Sequence, residues 1–215
     1  TTVLTNIIYP IIVHWTWGGG WLAEEGCSDF AGSGVVHMTG GIAGLIGTIF
    51  LGPRLGRFPT KLGSTSDEMI GVRSDEFFPS NVAYISLGTL ILWFGWFGFN
   101  AGSTVALSGT NAEIAGHCAT TTTLSGAAGG LVSFVLFRIS KGKFNVTAFL
   151  NGTLAGLVSI TAGTNNIDTY VSVLVGTLGG LILFGVDYLF NQLGMKSKVQ
   201  IDDPLNAFAV HGACG

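Results

Sequence analysis

Two histidines stand in matching places in this sequence, each eight residues after an aspartate. Asp29 and His37 lie in DFAGSGVVH, and Asp203 and His211 lie in DDPLNAFAVH. Both histidines fall within apolar stretches and are followed by runs of small residues. A neutral imidazole donates a hydrogen bond from one ring nitrogen, accepts one at the other, and relays a proton near neutral pH. The repetition predicts two related halves of the chain that each supply one imidazole to a shared site.

Other interpretations of the histidine pair stay open. Each imidazole could simply bond a neighbouring backbone carbonyl in a packed interior. A metal site is a further alternative, but it would need a third or fourth ligand, and no set of His, Cys and Glu has metal-ligand spacing. Because ionisable groups are rare deep in apolar spans, two in mirrored contexts favour a functional role. We therefore expect no metal and no other cofactor.

The composition is typical of a membrane protein, and it predicts that the helices which carry these residues lie in a lipid bilayer. Of the 215 residues, 48% are hydrophobic and 10% are charged, whereas soluble domains carry about 25% charged residues. Crossing the hydrocarbon core takes about 20 apolar residues. We predict an all-α, polytopic transmembrane helix bundle with inverted-repeat architecture. Its predicted spans are 3–17, 29–52, 80–103, 113–138, 145–164, 167–193 and the start of a further one at 204–215.

The nine basic residues fall in, or at the edge of, alternate loops. These loops are 53–79, 139–144 and 194–203, whereas 18–28, 104–112 and 164–167 contain no Lys or Arg. The positive-inside bias assigns the three basic loops to the cytoplasm. Asp29 then lies at the outer face and Asp203 at the inner face, and each histidine lies about 12 Å deeper at 1.5 Å per residue. We expect the imidazoles to meet near the middle of the bilayer.

Glycines four residues apart recur along the predicted spans. Small residues at this spacing let membrane helices approach closely, which favours a tightly packed bundle. The pairs are Gly40/Gly44, Gly98/Gly102, Gly126/Gly130, Gly152/Gly156 and Gly176/Gly180.

Aromatic residues crowd the predicted outer rim. Trp17, Trp96 and Phe99 adjoin glycine-rich turns, and Ser103 follows closely. Aromatic faces beside a hydroxyl and a carboxylate attract a small monovalent cation that donates hydrogen bonds. Asp29 could supply the carboxylate, or it could cap the helix that follows it. The alternative for the tryptophans is an interfacial aromatic belt.

Four stretches of the sequence closely resemble the ammonium transporter family (Amt/Mep/Rh), and they occur in the family's order. They are DFAGSGVVHMTGGIAGLIG, LWFGWFGFNAGS, NGTLAGLVSITAG and DDPLNAFAVHGACG. The loop sequence GPRLGRF is more similar to the plant and algal AMT1 type than to the Rh type. The resemblance implies a homotrimer in the plasma membrane, in which each eleven-span subunit has its own apolar pore. It also implies that this chain covers about spans four to early ten, without the partner gate phenylalanine and the regulatory tail.

The resemblance also assigns roles to individual residues. His37 and His211 resemble the twin histidines of the pore. Five residues resemble substrate-binding positions, namely the outer recruitment site (Trp17, Ser103 and the nearby Trp96), the gate (Phe99) and the essential aspartate (Asp29). Because an unpaired charge is costly to desolvate, ammonium would lose its proton near the gate and pass the histidines as ammonia.

The sequence thus predicts a transporter of ammonium or ammonia and no enzyme. An ammonia gas channel of Rh type and an ammonium sensor or receptor are alternatives. A di-histidine membrane metalloenzyme is a third. No basic patch interleaved with aromatic residues suggests a nucleic-acid partner.

Overall fold

The computed structural model describes residues 1–58, 60–61, 69–70, 77, 79–196 and 200–215. Its α-helices are α1 (Tyr9–Thr16), α2 (Trp21–Glu24), α3 (Thr39–Leu51), α4 (Val82–Asn100), α5 (Thr110–Lys141), α6 (Val146–Ile160) and α7 (Thr169–Lys196). Leu4–Ile8, Ser33–Met38 and Phe208–Gly212 are π-helical, and Ala101–Thr104 is a 3-10 turn. Strands β1 (Thr60–Lys61) and β2 (Met69–Ile70) form one antiparallel ribbon. The all-α prediction is confirmed, with this ribbon as a small addition.

Four helical segments in the described residues are long and apolar enough to cross a membrane. They are Ser33–Leu51, Val82–Thr104, Thr110–Lys141 and Thr169–Met195, and Val146–Ile160 is a shorter apolar helix. The helix within the predicted span 29–52 begins only at Ser33, because a turn around Asp29 occupies the first residues. Similarly, α6 ends at Ile160 and turns fill the rest of the predicted span 145–164. Which segments cross a membrane stays a prediction.

Local capping chemistry fixes where several helices begin and end. Asn81 and Asn145 precede α4 and α6, and their side-chain oxygens accept hydrogen bonds from backbone N–H groups three residues later, at 3.1 and 3.2 Å. Such caps satisfy donors that a helix start leaves without partners. Helix α5 ends at Lys141, and the next residue, Gly142, has a φ of 69°, in the left-handed region that favours glycine.

Helices α5, α6 and α7 pack on one another through their smallest residues. Gly156 of α6 and Gly176 of α7 both face the Ser125 carbonyl of α5 so closely that a methyl group on either would collide with it. The pairs Gly152/Gly156, Gly176/Gly180 and Gly126/Gly130 all take part in such contacts. At Gly40/Gly44 and Gly98/Gly102, an added methyl group would meet no atom of the described residues within 4 Å.

An apolar cluster lies between this three-helix unit and the C-terminal π-helical turn. It contains Trp96 together with Ala155, Leu157, Val158, Leu183, Ala209, Val210 and Cys214. Thr121 and Thr122 of α5 are also fully buried. Their hydroxyl oxygens lie 2.9 and 3.3 Å from the hydroxyl oxygen of Thr164. This packing holds Trp96 on the inner side of α4.

Candidate functional site

The turn before His37 is built on the Asp29 carboxylate. Its Oδ1 accepts hydrogen bonds from the backbone N–H groups of Gly32 (2.8 Å) and Ser33 (2.9 Å). Its Oδ2 accepts from Gly34 and Val35, both at 2.9 Å. Gly32 has a φ of 100°, which allows the chain to turn sharply into the helix. Asp29 therefore caps the helical segment that carries His37.

Asp203 does the same for the segment that carries His211. Its Oδ1 accepts from Ala207 N–H (2.8 Å), and its Oδ2 accepts from Phe208 (2.8 Å) and Ala209 (3.4 Å). Asn206, three residues after the aspartate as Gly32 is after Asp29, has a φ of 53°. The two halves thus share an aspartate cap, a left-handed residue and a π-helical turn with a histidine.

The two π-helical turns bring the imidazoles together. His37 lies on Ser33–Met38 and His211 on Phe208–Gly212. Gly41 packs directly against the Gly212 backbone, where no larger residue would fit, so the two segments approach closely. The Nδ1 atoms of the two histidines are 3.1 Å apart, and the rings lie nearly parallel, at 15°, with centroids separated by 5.1 Å.

Because of the hydrogen bond between the imidazoles, one Nε2 atom is an acceptor and the other is a donor. With both rings neutral, one Nδ1 carries the shared proton, so the Nε2 of that ring accepts hydrogen bonds and the Nε2 of the other ring donates them. His37 Nε2 is buried and has no hydrogen-bond partner within the described part of the chain. Buried polar atoms are rarely left unpaired. Trp93 Nε1, Asn100 Oδ1 and Asn165 Oδ1 share this state, and His37 Nε2 is the one of the four atoms that belongs to the histidine pair.

Aromatic rings enclose His37. Trp96 stacks on the imidazole at 9° with a centroid distance of 5.1 Å, and Phe99 lies at 42° and 5.3 Å. Trp96 is only 6% exposed, and its indole N–H donates to Thr161 Oγ1 at 3.1 Å. Trp96 is therefore buried within the protein and packed on His37. It belongs to the wall around the histidine pair.

The remaining rim residues form separate contacts. Trp17 is 47% exposed, and its indole N–H donates to the Asp29 carbonyl at 2.6 Å. The Ser103 hydroxyl donates to the Phe99 carbonyl at 2.6 Å. Among the ring pairs of the described residues, none joins Trp17 to Trp96 or Phe99. The structure thus groups the two histidines with Trp96 and Phe99, and it groups Trp17 with Asp29.

Comparison with known proteins identifies the family to which this chain belongs. A family model described as the Ammonium Transporter Family matches residues 1–215. The chain belongs to the Ammonium Transporter Family. It is 41% identical to the putative ammonium transporter sll1017 of Synechocystis sp. over 221 residues, covering all of this chain and 46% of that protein. It is 39% identical to the putative ammonium transporter 1 member 5 of Arabidopsis thaliana, covering all of this chain and 44% of that protein.

Solved structures of the family show the same fold. Candida albicans Mep2 matches with a TM-score of 0.77 and 33% identity, over 97% of this chain and 42% of Mep2. A structure described as a sensor Amt protein matches with a TM-score of 0.77 and 34% identity, over 97% and 48% of the two chains. Together with its apolar helices, these relatives identify a multi-pass membrane protein. The chain spans a little under half the length of the curated relatives named above.

A half-buried ion pair, which sequence reasoning missed, lies beside the Asp203 cap of this family member. Asp202 is 5% exposed and binds Arg54 through two side-chain bonds, Nε–Oδ2 at 2.7 Å and Nη2–Oδ1 at 2.9 Å. Burial by itself raises the Asp202 pKa, but hydrogen bonds and charge from Arg54, with the charge of Arg57, outweigh it and lower the pKa. The hydrogen bond to Asp202 raises the Arg54 pKa. The sequence offered one indication of this ion pair. Asp202 directly precedes Asp203, and Asp203 alone is enough to cap the following helical turn.

The basic residues of two predicted loops border one cavity. Arg54 and Arg57 from one loop, and Lys141 and Lys143 at the other, line a cavity of about 800 Å³ together with Asp187. These basic residues therefore lie at the same end of the bundle. Arg73 and Lys198 lie outside the described residues.

The histidine pair has no third neighbouring metal ligand among the described residues. In the part of the chain that the structure describes, no group of three His, Cys, Asp or Glu residues lies close enough to share one. Cys214 stands three residues after His211, but its thiol donates to the carbonyls of Gly179 (3.4 Å) and Ala209 (3.2 Å).

Proposed function

We propose that this protein transports ammonium or ammonia across a membrane through a pore that passes the histidine pair. The observation that carries the proposal is the 3.1 Å contact between His37 Nδ1 and His211 Nδ1, walled by Trp96 and Phe99. Family membership supports it, because the curated relatives named above are described as ammonium transporters.

The chemistry of the pair suits ammonia. Ammonia has three N–H donors and one lone pair, so it can donate to the accepting Nε2 and accept from the donating Nε2 of the pair. A metal cation offers no N–H, and a bare charge between apolar rings is costly to desolvate. We infer that ammonium transfers a proton to water on the entry side, passes as ammonia and regains a proton on the far side.

We propose that Trp17 and Ser103 recruit ammonium before deprotonation, and that Phe99 forms part of the gate below them. The Ser103 hydroxyl donates its hydrogen to Phe99 O, so its oxygen lone pairs face outward as acceptors for ammonium N–H groups. The exposed ring of Trp17 offers an aromatic face for cation–π attraction. Asp29 acts chiefly through its cap, because both of its carboxylate oxygens already accept backbone hydrogen bonds.

We further propose a homotrimer in the plasma membrane, with loops 53–79, 139–144 and 194–203 in the cytoplasm. The positive-inside bias supports this orientation. The shared cavity of Arg54, Arg57, Lys141 and Lys143 adds support, because residues from two predicted cytoplasmic loops lie at one end. The trimer is the assembly that the family resemblance implies.

Uptake of labelled methylammonium tests the function. We expect yeast that lacks its own ammonium transporters to take it up when it expresses the full-length protein, with saturation and competition by unlabelled ammonium. Cells with an empty vector are the control, and immunoblots establish that the protein reaches the membrane. Ammonium binding to purified protein without flux would instead favour the sensor. A stoichiometric metal in that preparation would favour the metalloenzyme.

A further inference from the structure

Thr161 follows the last residue of α6 and is fully buried. Its hydroxyl has two partners. It accepts the indole N–H of Trp96 at 3.1 Å and donates its own hydrogen to the Leu157 carbonyl at 2.7 Å. The bond to Leu157 fixes the direction of the hydroxyl, which leaves a lone pair directed at Trp96. One threonine therefore determines where the indole N–H points.

The orientation of Trp96 matters because its ring forms one wall of the histidine pair. The indole and the His37 imidazole are within 9° of parallel at 5.1 Å, and the imidazole in turn stacks on His211. A rotation of the indole would change the space beside His37 Nε2, the buried atom without a partner in the described residues. Trp96 thus connects Thr161 to the histidine pair.

The end of α6 also bonds the segment that precedes His37. The Thr161 carbonyl accepts from Ala31 N–H at 3.3 Å, and the Ala162 carbonyl accepts from Phe30 N–H at 2.8 Å. The Ser33 hydroxyl donates to the Val158 carbonyl at 2.7 Å. These bonds dock the segment that leads from the Asp29 cap to His37. The end of α6 therefore holds both the segment before His37 and the Trp96 ring that stacks on the imidazole.

We propose that Thr161 is a positioning residue for the histidine pair, setting the angle and distance between Trp96 and His37. This inference rests on the proposed transport function. The simpler possibility is that Thr161 only bonds its own helix. Thr153, two turns earlier on α6, does so, because its buried hydroxyl donates to the Phe149 carbonyl at 3.0 Å. Thr153 is therefore a matched control for Thr161.

The first test compares Thr161→Val, Thr161→Ser and Thr153→Val in the full-length protein at equal membrane levels. Valine keeps the shape of threonine and removes the hydroxyl. We expect Thr161→Val to lower the maximal rate of methylammonium uptake roughly tenfold, because the buried indole N–H loses its acceptor. Serine at 161 restores most of the rate, and Thr153→Val stays near wild type. A Thr161→Val rate equal to that of Thr153→Val overturns the proposal.

A second comparison uses Trp96→Phe, which removes the N–H and keeps an aromatic ring. If the hydroxyl acts through the indole, adding Thr161→Val to Trp96→Phe lowers the rate no further. An equal loss in both backgrounds means that Thr161 acts by another route and contradicts the proposal.

Nitrogen-15 NMR of the histidine rings separates this inference from the proposed function. The His37 and His211 signals are assigned by substituting each of the two histidines in turn. We expect these signals to shift in Thr161→Val and to stay in place in Thr153→Val. If the wild type moves no methylammonium, the transport proposal fails, yet these signals still decide the positioning role. Unchanged histidine signals in Thr161→Val overturn it.

Discussion

At the scale of single residues, Asp29 and Asp203 act as paired structural anchors. Asp29 accepts four backbone N–H bonds and Asp203 accepts three, each at the start of a segment that carries a histidine. A carboxylate at a helix N-terminus gains both from these bonds and from the helix dipole. The positions of His37 and His211 therefore depend on residues that do not touch them.

Substitution of Asp29 separates its structural role from a direct chemical one. We expect Asp29→Ala to destabilise the protein by about 0.5–2 kcal/mol, because the capping oxygens are lost. Asp29→Asn keeps one carbonyl oxygen, so we expect an intermediate loss. Thermal unfolding in detergent measures both, with the exposed Glu24→Ala as control. If Asp29→Ala unfolds like wild type but carries no methylammonium, the carboxylate acts on the substrate directly.

The repeated spacing of eight residues between an aspartate and a histidine could be recognised from the sequence, because each pair lies within one local segment. The sequence did not predict that Trp96 stacks on His37, because the proximity of Trp96 to the aromatic end of α4 suggested the rim. Trp96 is buried because of how α4 is rotated about its axis. The buried residues of α4 are Thr89, Trp96 and Asn100, which share one helix face. Two polar residues on that face of an apolar helix were the available signal.

At the scale of elements, α5, α6 and α7 form the most closely packed helices described above. The carbonyl of Ser125 faces glycines from both neighbouring helices, so backbone approaches backbone without intervening side chains. Helix α6 then presents its C-terminal end to Trp96 and to the segment before His37. A shift of α6 would therefore move both partners of the imidazole.

A pair of glycine substitutions tests this packing. We expect Gly156→Ala to destabilise the protein by about 1–3 kcal/mol, because the added methyl group collides with the Ser125 carbonyl. Gly88→Ala in α4 is the control, since a methyl group there meets no described atom within 4 Å. Thermal unfolding of the two variants should differ clearly. Equal midpoints would mean that α6 and α5 separate easily.

Glycine spacing predicted tight packing but could not say where it occurs. Three of the five predicted pairs meet a neighbouring element, and the other two face open space in the described structure. The spacing reports only that two glycines share a helix face. Which face meets a partner depends on how the whole bundle assembles, and that information is not local.

At the scale of the whole molecule, the two halves are held at opposite ends and meet in the middle. One half is anchored at Asp29, beside the end of α6, and the other at Asp203, beside the ion pair of Asp202 and Arg54. The alternation of basic loops predicted which residues share an end. It could not predict the ion pair, because its partners are 148 positions apart and other acids were equally available.

The most direct measurement of the central claim is the ratio of methylammonium uptake to potassium uptake in wild type, His37→Ala and His211→Ala. The account predicts that each substitution changes the rate of methylammonium uptake or raises the share of potassium, because each removes one side of the pair that matches ammonia and excludes bare cations. Wild-type rate and wild-type selectivity in both variants would contradict it, and the imidazoles would then serve only to fill space.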